Sequence, residues 1–167
     1  MTPSAAASRR TCALALAVAL LAAGCATPPP AERNMAQGPW SGRLALRLDG
    51  TPPQSFTAAF ELKGRAEAGE LALRTPLGNT AAQLSWAPGR ATLRSGSDLH
   101  EFDSLDALAA HATGTPLPVA AVFDWLAGVP TQAAGWSADL AELPAGRLQA
   151  RRTAPAPAAD LRLVLDR

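Results

Sequence analysis

The chain has 167 residues, fifteen basic against fourteen acidic, with 48% apolar residues, two cysteines and no tyrosine. That length suits one domain with a core of its own. The near-neutral charge gives no electrostatic footprint for nucleic acid, and two cysteines are too few for a disulfide framework.

Residues 1–24 are predicted to be an export signal. Arg9 and Arg10 precede an apolar run from Cys12 to Ala23, and Gly24 and Cys25 follow it. A positive start, a short apolar stretch and small residues before a cysteine form the pattern of a lipoprotein signal peptide. The run has 12 residues. As a helix it would be about 18 Å long against a hydrocarbon core of about 30 Å, so it can engage the export machinery but cannot remain as a span. Cleavage before Cys25 would expose the position at which bacterial lipoproteins carry N-acyl and S-diacylglycerol groups. Ala22 stands three residues before the cysteine, where leucine is usual, and Leu21 lies one position further out. A plain signal peptide, cut elsewhere in the Ala-rich stretch, would leave Cys25 without this role. Beyond the signal lie 143 residues, thirteen basic and fourteen acidic, with Cys25 the sole cysteine.

Residues 25–39 contain Pro28-Pro29-Pro30, Gly38 and Pro39. This composition predicts a tether, partly polyproline II; the fourteen residues after Cys25 could reach about 40 Å.

From Trp40 the pattern takes a period of two. Leu44, Leu46 and Leu48 share one face, with Arg43 and Arg47 on the other. Phe56, Ala58, Phe60 and Leu62 alternate with polar partners, as do Leu71 and Leu73, then Ala82, Leu84 and Trp86, then Leu93. Late in the chain Leu148 and Ala150, then Leu161, Leu163 and Leu165, repeat the pattern. Such alternation predicts antiparallel strands with one apolar and one wet face. The breakers fit hairpins: Asp49-Gly50 with Pro52-Pro53, Gly64 to Gly69, Thr75 to Gly78, and Ala87-Pro88-Gly89. In the middle the period turns helical. Ser104 is a natural N-cap for Leu105 to Ala112, and Gly114 stops that helix. Pro118 suits the first turn of a second, in which Val119, Val122, Phe123 and Leu126 share a face before Gly128 and Pro130. The expected order is about five strands, two short helices, then two or three strands. The predicted fold is mainly β (α+β): one curved antiparallel sheet with helices laid across its apolar concavity. Two short helices cover little of such a sheet. Its concavity is therefore either an apolar ligand site or is filled by the helices with Trp86, Trp125 and Trp136.

No enzyme constellation is present. His100 and His111 have no metal-ligand spacing. His111 ends a helix, where a cation favours the dipole. Glu101, Asp103 and Asp106 fit a loop and a first helical turn. There is no nucleophile elbow and no P-loop, so neither catalysis nor a metal is expected.

Thr75-Pro76-Leu77-Gly78 is the sharpest internal motif. Pro favours i+1 of a β-turn and Gly i+3 of type I, which leaves Leu77 at i+2, pointing outward. Type II would force a positive φ on leucine. One exposed leucine is ordinary on a soluble protein. On a membrane-tethered one it could enter lipid, and full burial is worth about 1.5–3 kcal/mol.

At this point the chain resembles the outer-membrane lipoprotein receptor LolB family of Gram-negative bacteria. The resemblance covers most of residues 40–167. It rests on Trp40 to Leu46 (WSGRLAL), on Leu73 to Thr80 (LRTPLGNT), and on Ala112 to Pro118 (ATGTPLP) followed by Phe123 to Pro130 (FDWLAGVP). It implies an open half-barrel capped by helices, with an apolar cavity for acyl chains. It also implies a receptor that accepts lipoproteins from the periplasmic carrier LolA and inserts them into the outer membrane. The family's loop leucine matches Leu77 in Pro76-Leu77-Gly78. Ala26, after the cysteine, agrees with delivery to the outer membrane, anchored by lipid on the periplasmic face. The implied partners are LolA, acylated cargo and outer-membrane phospholipid, with the receptor a monomer. Candidates for the cavity or the core are Phe56, Phe60, Leu71, Leu73, Leu84, Trp86, Val122, Phe123 and Leu126. The stretch between Cys25 and Trp40 is short for the family's N-terminal helix, and the C-terminus also looks abbreviated. Two other readings fit a lipoprotein of this pattern: a carrier of phospholipid or glycolipid, and a structural outer-membrane assembly protein with a filled core.

Overall fold

The computed structural model describes residues 38–133 and 135–166. Cys25, the signal peptide and most of the tether lie outside them. The elements run β1 (Trp40–Leu48), β2 (Gln54–Arg65), β3 (Ala68–Arg74), β4 (Thr80–Ala87), β5 (Arg90–Ser95), β6 (Asp98–Phe102), α1 (Leu105–Thr113) and α2 (Val119–Leu126). After α2 come β7 (Trp136–Asp139), a 3-10 turn at Leu143–Ala145, β8 (Arg147–Arg152) and β9 (Ala159–Leu165). All strand pairings are antiparallel, in one nine-stranded sheet of order β6-β5-β4-β3-β2-β1-β9-β8-β7. The edge strands β6 and β7 do not meet, so the sheet is an open half-barrel, mainly β as its alternation predicts.

Six strands precede the helices rather than about five. β6 escapes the pattern because its inward residues are His100 and Phe102, whereas its leucine, Leu99, faces out and is exposed. The segment Gly64 to Gly69 is mostly strand, with Gly64 paired opposite Gly69 and only Ala66-Glu67 between the strands. Gly69 has a packing reason: a Cβ there would lie 2.6 Å from the Trp86 ring.

The registers divide the connections between two ends. Leu48 pairs with Gln54 and with Ala159, and Arg152 with both Ala159 and Trp136. One end therefore holds the β1–β2, β3–β4, β5–β6 and β8–β9 connections. The other holds β2–β3, β4–β5, β7–β8 and Trp40, where β1 begins.

Both helices start and stop as their sequences dictate. Ser104 Oγ accepts the Ala107 N–H at 3.1 Å, and Gly114 takes the left-handed C-cap of α1. Pro118 precedes α2, whose Phe123, Trp125 and Leu126 are buried. The β7–β9 side of the concavity is filled by Trp125, fully buried, beside Trp136 at 6.5 Å between ring centroids. At the Trp40 end, Phe123 packs edge-on against both Trp40 (5.7 Å) and Trp86 (6.1 Å). Aromatics thus fill the flank and one end.

On the convex face Asp160 joins β8 to β9, accepting from Gln149, Arg151 and Arg162. Partial burial opposes its ionisation, but those donors prevail and hold its carboxyl below the ordinary value.

Arg152 is the one charged side chain that is buried among the described residues, only 3% exposed. It donates to Thr115 Oγ1, to Pro116 O at 3.2 Å and to Pro157 O at 2.8 Å, with its guanidinium 5.6 Å over Trp136. It fastens the α1–α2 connection to the β8–β9 turn. Arg152→Met should leave these acceptors unpaired and lower stability by about 2–4 kcal/mol, with Arg152→Lys recovering part of the loss. Urea denaturation measures this, and an unchanged midpoint would deny the strut any energetic role.

Candidate functional site

The sheet's dry face outruns its cover, and a cavity of about 180 Å³ persists beneath α1 and α2. All nine residues singled out from the sequence line it: Phe56, Phe60, Leu71, Leu73, Leu84, Trp86, Val122, Phe123 and Leu126. They divide by depth. Phe60, Leu84, Trp86, Phe123 and Leu126 are buried, whereas Leu71, Leu73 and Val122 are partly covered. Phe56 is 43% exposed and stands at the mouth.

The lining also includes Leu46, Leu161 and Leu163 from β1 and β9, and Ala109, Ala112 and Thr113 from α1. The leucines carry the same alternation as their strands. The alanines and the threonine carry no signal until the helix is placed, because small residues matter here only by leaving space. Thr113 is the sole polar side chain in the lining, and its hydroxyl lies 2.8 Å from the Ala109 carbonyl, its own helix's acceptor. The walls are therefore fit for hydrocarbon and unfit for a charged or strongly polar ligand.

A larger space of about 550 Å³ adjoins this chamber at the end opposite Trp40. It shares Phe56, Leu73, Leu84 and Ala112 with the inner chamber and reaches the strand ends at Gln54, Ala81 and Ser95. One end of the concavity is plugged by Trp40, Phe123 and Trp86; the other is open.

The β3–β4 hairpin rises from that open end. Gly78 N–H donates to Thr75 O at 2.8 Å, and Thr75 N–H to Asn79 O at 2.9 Å. Among the described residues only glycines have positive φ, Gly78 at +85°. Leu77 thus sits at i+2 of a type I turn, followed by a left-handed glycine and a register shift in the β3–β4 ladder. Its side chain is 88% exposed. Pro76 and Gly78 hold it there and make no contact with the cavity.

The two histidines, distant in sequence, come together at the mouth. His111, in the last turn of α1, stands 5.6 Å from His100 and 5.1 Å from Phe102 between ring centroids. Glu101 faces the other way and pairs with Arg90 at 2.7 Å. Among the described residues no three His, Cys, Asp or Glu side chains gather as metal ligands, and no helix is long and apolar enough to cross a membrane.

Residues 39–155 match the family described as "Outer membrane lipoprotein LolB". Similar proteins include the outer-membrane lipoprotein LolB of Chromobacterium violaceum, 36% identical over 124 residues, 70% of this chain and 67% of that one. The LolB of Bordetella petrii is 34% identical over 141 residues, 81% of this chain and 66% of that one. The LolB of Halorhodospira halophila is 33% identical over 129 residues, 69% of this chain and 62% of that one. The chain thus spans about two thirds of the length of these relatives. With an open half-barrel, an apolar cavity at its centre and this match across most of its described residues, the chain belongs to the outer membrane lipoprotein LolB family.

Proposed function

We propose that this protein is a lipid-anchored receptor of the outer membrane, facing the periplasm. It accepts acylated lipoproteins from the soluble carrier LolA and passes them into the bilayer. The observation that carries this reading is the coincidence of three features: an apolar chamber, a mouth at one end of it, and a bare leucine on a stiff hairpin at that same end. Membership of a family whose relatives are named outer-membrane lipoproteins supports it.

Transfer then runs on affinity. Each acyl CH₂ taken from water is worth about 0.8 kcal/mol, so a cargo chain moves to whichever apolar site buries it best. Direction requires this chamber to outbind the carrier and the bilayer to outbind this chamber. Nothing in that scheme needs covalent chemistry. At about 180 Å³ the inner chamber lies below the about 300–1,000 Å³ of typical ligand pockets. Cargo must therefore widen it, and α1 is the wall that can yield. It faces the chamber with Leu105 and with the small side chains Ala109, Ala112 and Thr113, and Leu108 is its one fully buried side chain.

Leu77 acts after acceptance, entering the lipid beside the mouth, and Cys25 with its acyl groups keeps the body at the membrane. Ala112→Trp should fill the mouth and weaken binding of a fluorescent apolar probe on the order of tenfold, with the urea midpoint unchanged; undiminished binding would place the ligand elsewhere. Leu77→Glu should leave acceptance from the carrier intact and slow release into membranes by about tenfold to a hundredfold, matching about 1.5–3 kcal/mol of leucine burial. A reconstituted transfer assay in which both steps stay normal would remove the role of the loop. Mass spectrometry of the membrane fraction should find three fatty acyl chains on Cys25. A soluble chain with a free N-terminus would contradict the anchor.

A further inference from the structure

Charge is sparser in the connections at one end of the sheet than in those at the other. At the mouth end, four strand-to-strand connections reach the surface: Asp49 to Pro53, Thr75 to Asn79, Gly96-Ser97 and Thr153 to Ala158. Their single charged residue is Asp49, paired with Arg47 at 2.9 Å, and their tips, at Pro53, Leu77, Ser97 and Ala156, are exposed. Beside them stand Arg74, paired with Glu61 at 2.8 Å, Arg151, paired with Asp160 at 2.9 Å, and Asp98 at the start of β6. At the Trp40 end the β2–β3, β6–α1 and β7–β8 connections carry charge, and Arg90 directly follows the fourth. Arg65 and Glu67 flank the β2–β3 turn, Arg90 follows the β4–β5 turn, Asp103 precedes α1, and Glu142 pairs with Arg147 beside the β7–β8 connection.

We infer that the whole mouth end, and not Leu77 alone, is a docking face for an uncharged phospholipid surface, with the charged end turned to water. This rests on the reading of Cys25 and Leu77 given above. Entering the headgroup layer costs a charged side chain far more than Pro, Ala, Thr or Ser. A rim with one charged residue, itself paired, on four separate connections can therefore approach lipid at a lower desolvation cost than the opposite end. The mouth opens within this rim, so a hydrocarbon chain leaving the cavity meets lipid without crossing water.

The geometry of the anchor permits it. Trp40 lies at the far end, about 26 Å from the mouth by the length of β1. The segment between Cys25 and Trp40 can span about 40 Å. The chain can thus be held by Cys25 and still set its mouth on the bilayer.

The test uses the acylated full-length protein in phosphatidylcholine vesicles, with single cysteines introduced at Pro53, Ser97 or Ala156 on the rim and at Ala66, Pro88 or Ala141 on the far end. Each carries an environment-sensitive dye. Rim dyes should shift to shorter wavelength and be quenched by nitroxide lipids, while far-end dyes stay aqueous. Adding phosphatidylglycerol should not increase the shift, because the four connections carry no cation and Arg47 and Arg74 beside them are paired with Asp49 and Glu61. Pro53→Glu with Ala156→Glu should weaken the rim response on the order of tenfold. The inference is overturned if rim dyes stay aqueous, if both ends respond alike, or if rim dyes respond only to added soluble carrier. Aqueous rim dyes with normal lipoprotein transfer would sink this docking face and leave the receptor reading standing. Docked rim dyes without acceptance of lipoprotein would do the reverse.

Discussion

The structure turns on one imbalance: a nine-stranded sheet with a continuous dry face has only two short helices to cover it. Leaving that face wet would cost about 25 cal/mol for each Å² exposed, so the fold recruits its few large residues as additional cover. Trp125 and Trp136 close one flank, and Trp40, Phe123 and Trp86 close one end. What they do not reach is the cavity. Its leucine walls give water almost nothing to hydrogen-bond, and such a space tolerates emptiness better than hydration. The fold is complete without being full.

Arg152 shows what keeps the cover in place. The α1–α2 connection has no sheet partner, and it is instead hung from β8 by a buried guanidinium that also holds the β8–β9 turn. One strut thus connects the helical lid to the strands that complete the half-barrel.

Much of this was legible beforehand. Alternation at Leu44, Leu46 and Leu48, and again at Leu161, Leu163 and Leu165, marks a one-sided sheet, and Ser104 and Gly114 bracket α1 to within a residue. β6 was hidden because its inward side chains are a histidine and a phenylalanine and its leucine faces out. Whether the concavity is filled is a tertiary matter. The same inward face carries both Phe60, buried beneath the lid, and Phe56, half bare at the mouth, and only the placement of the helices separates them. Ala109 and Ala112 acquire meaning in the same way, since a small side chain is informative only when its neighbours are known. Leu77 was the exception: the turn chemistry of its neighbours dictated its position without any tertiary information.

That hairpin tip has a thermodynamic consequence. Ordering one loose residue costs about 1–2 kcal/mol of backbone entropy, nearly as much as the about 1.5–3 kcal/mol that a buried leucine returns. On a floppy loop, the leucine's contact with lipid would be almost cancelled by the freedom it gave up. Here the two backbone hydrogen bonds at Thr75 and the left-handed Gly78 fix the tip during folding. The entropy has already been surrendered, and in the proposed role the leucine keeps the whole of what its burial returns.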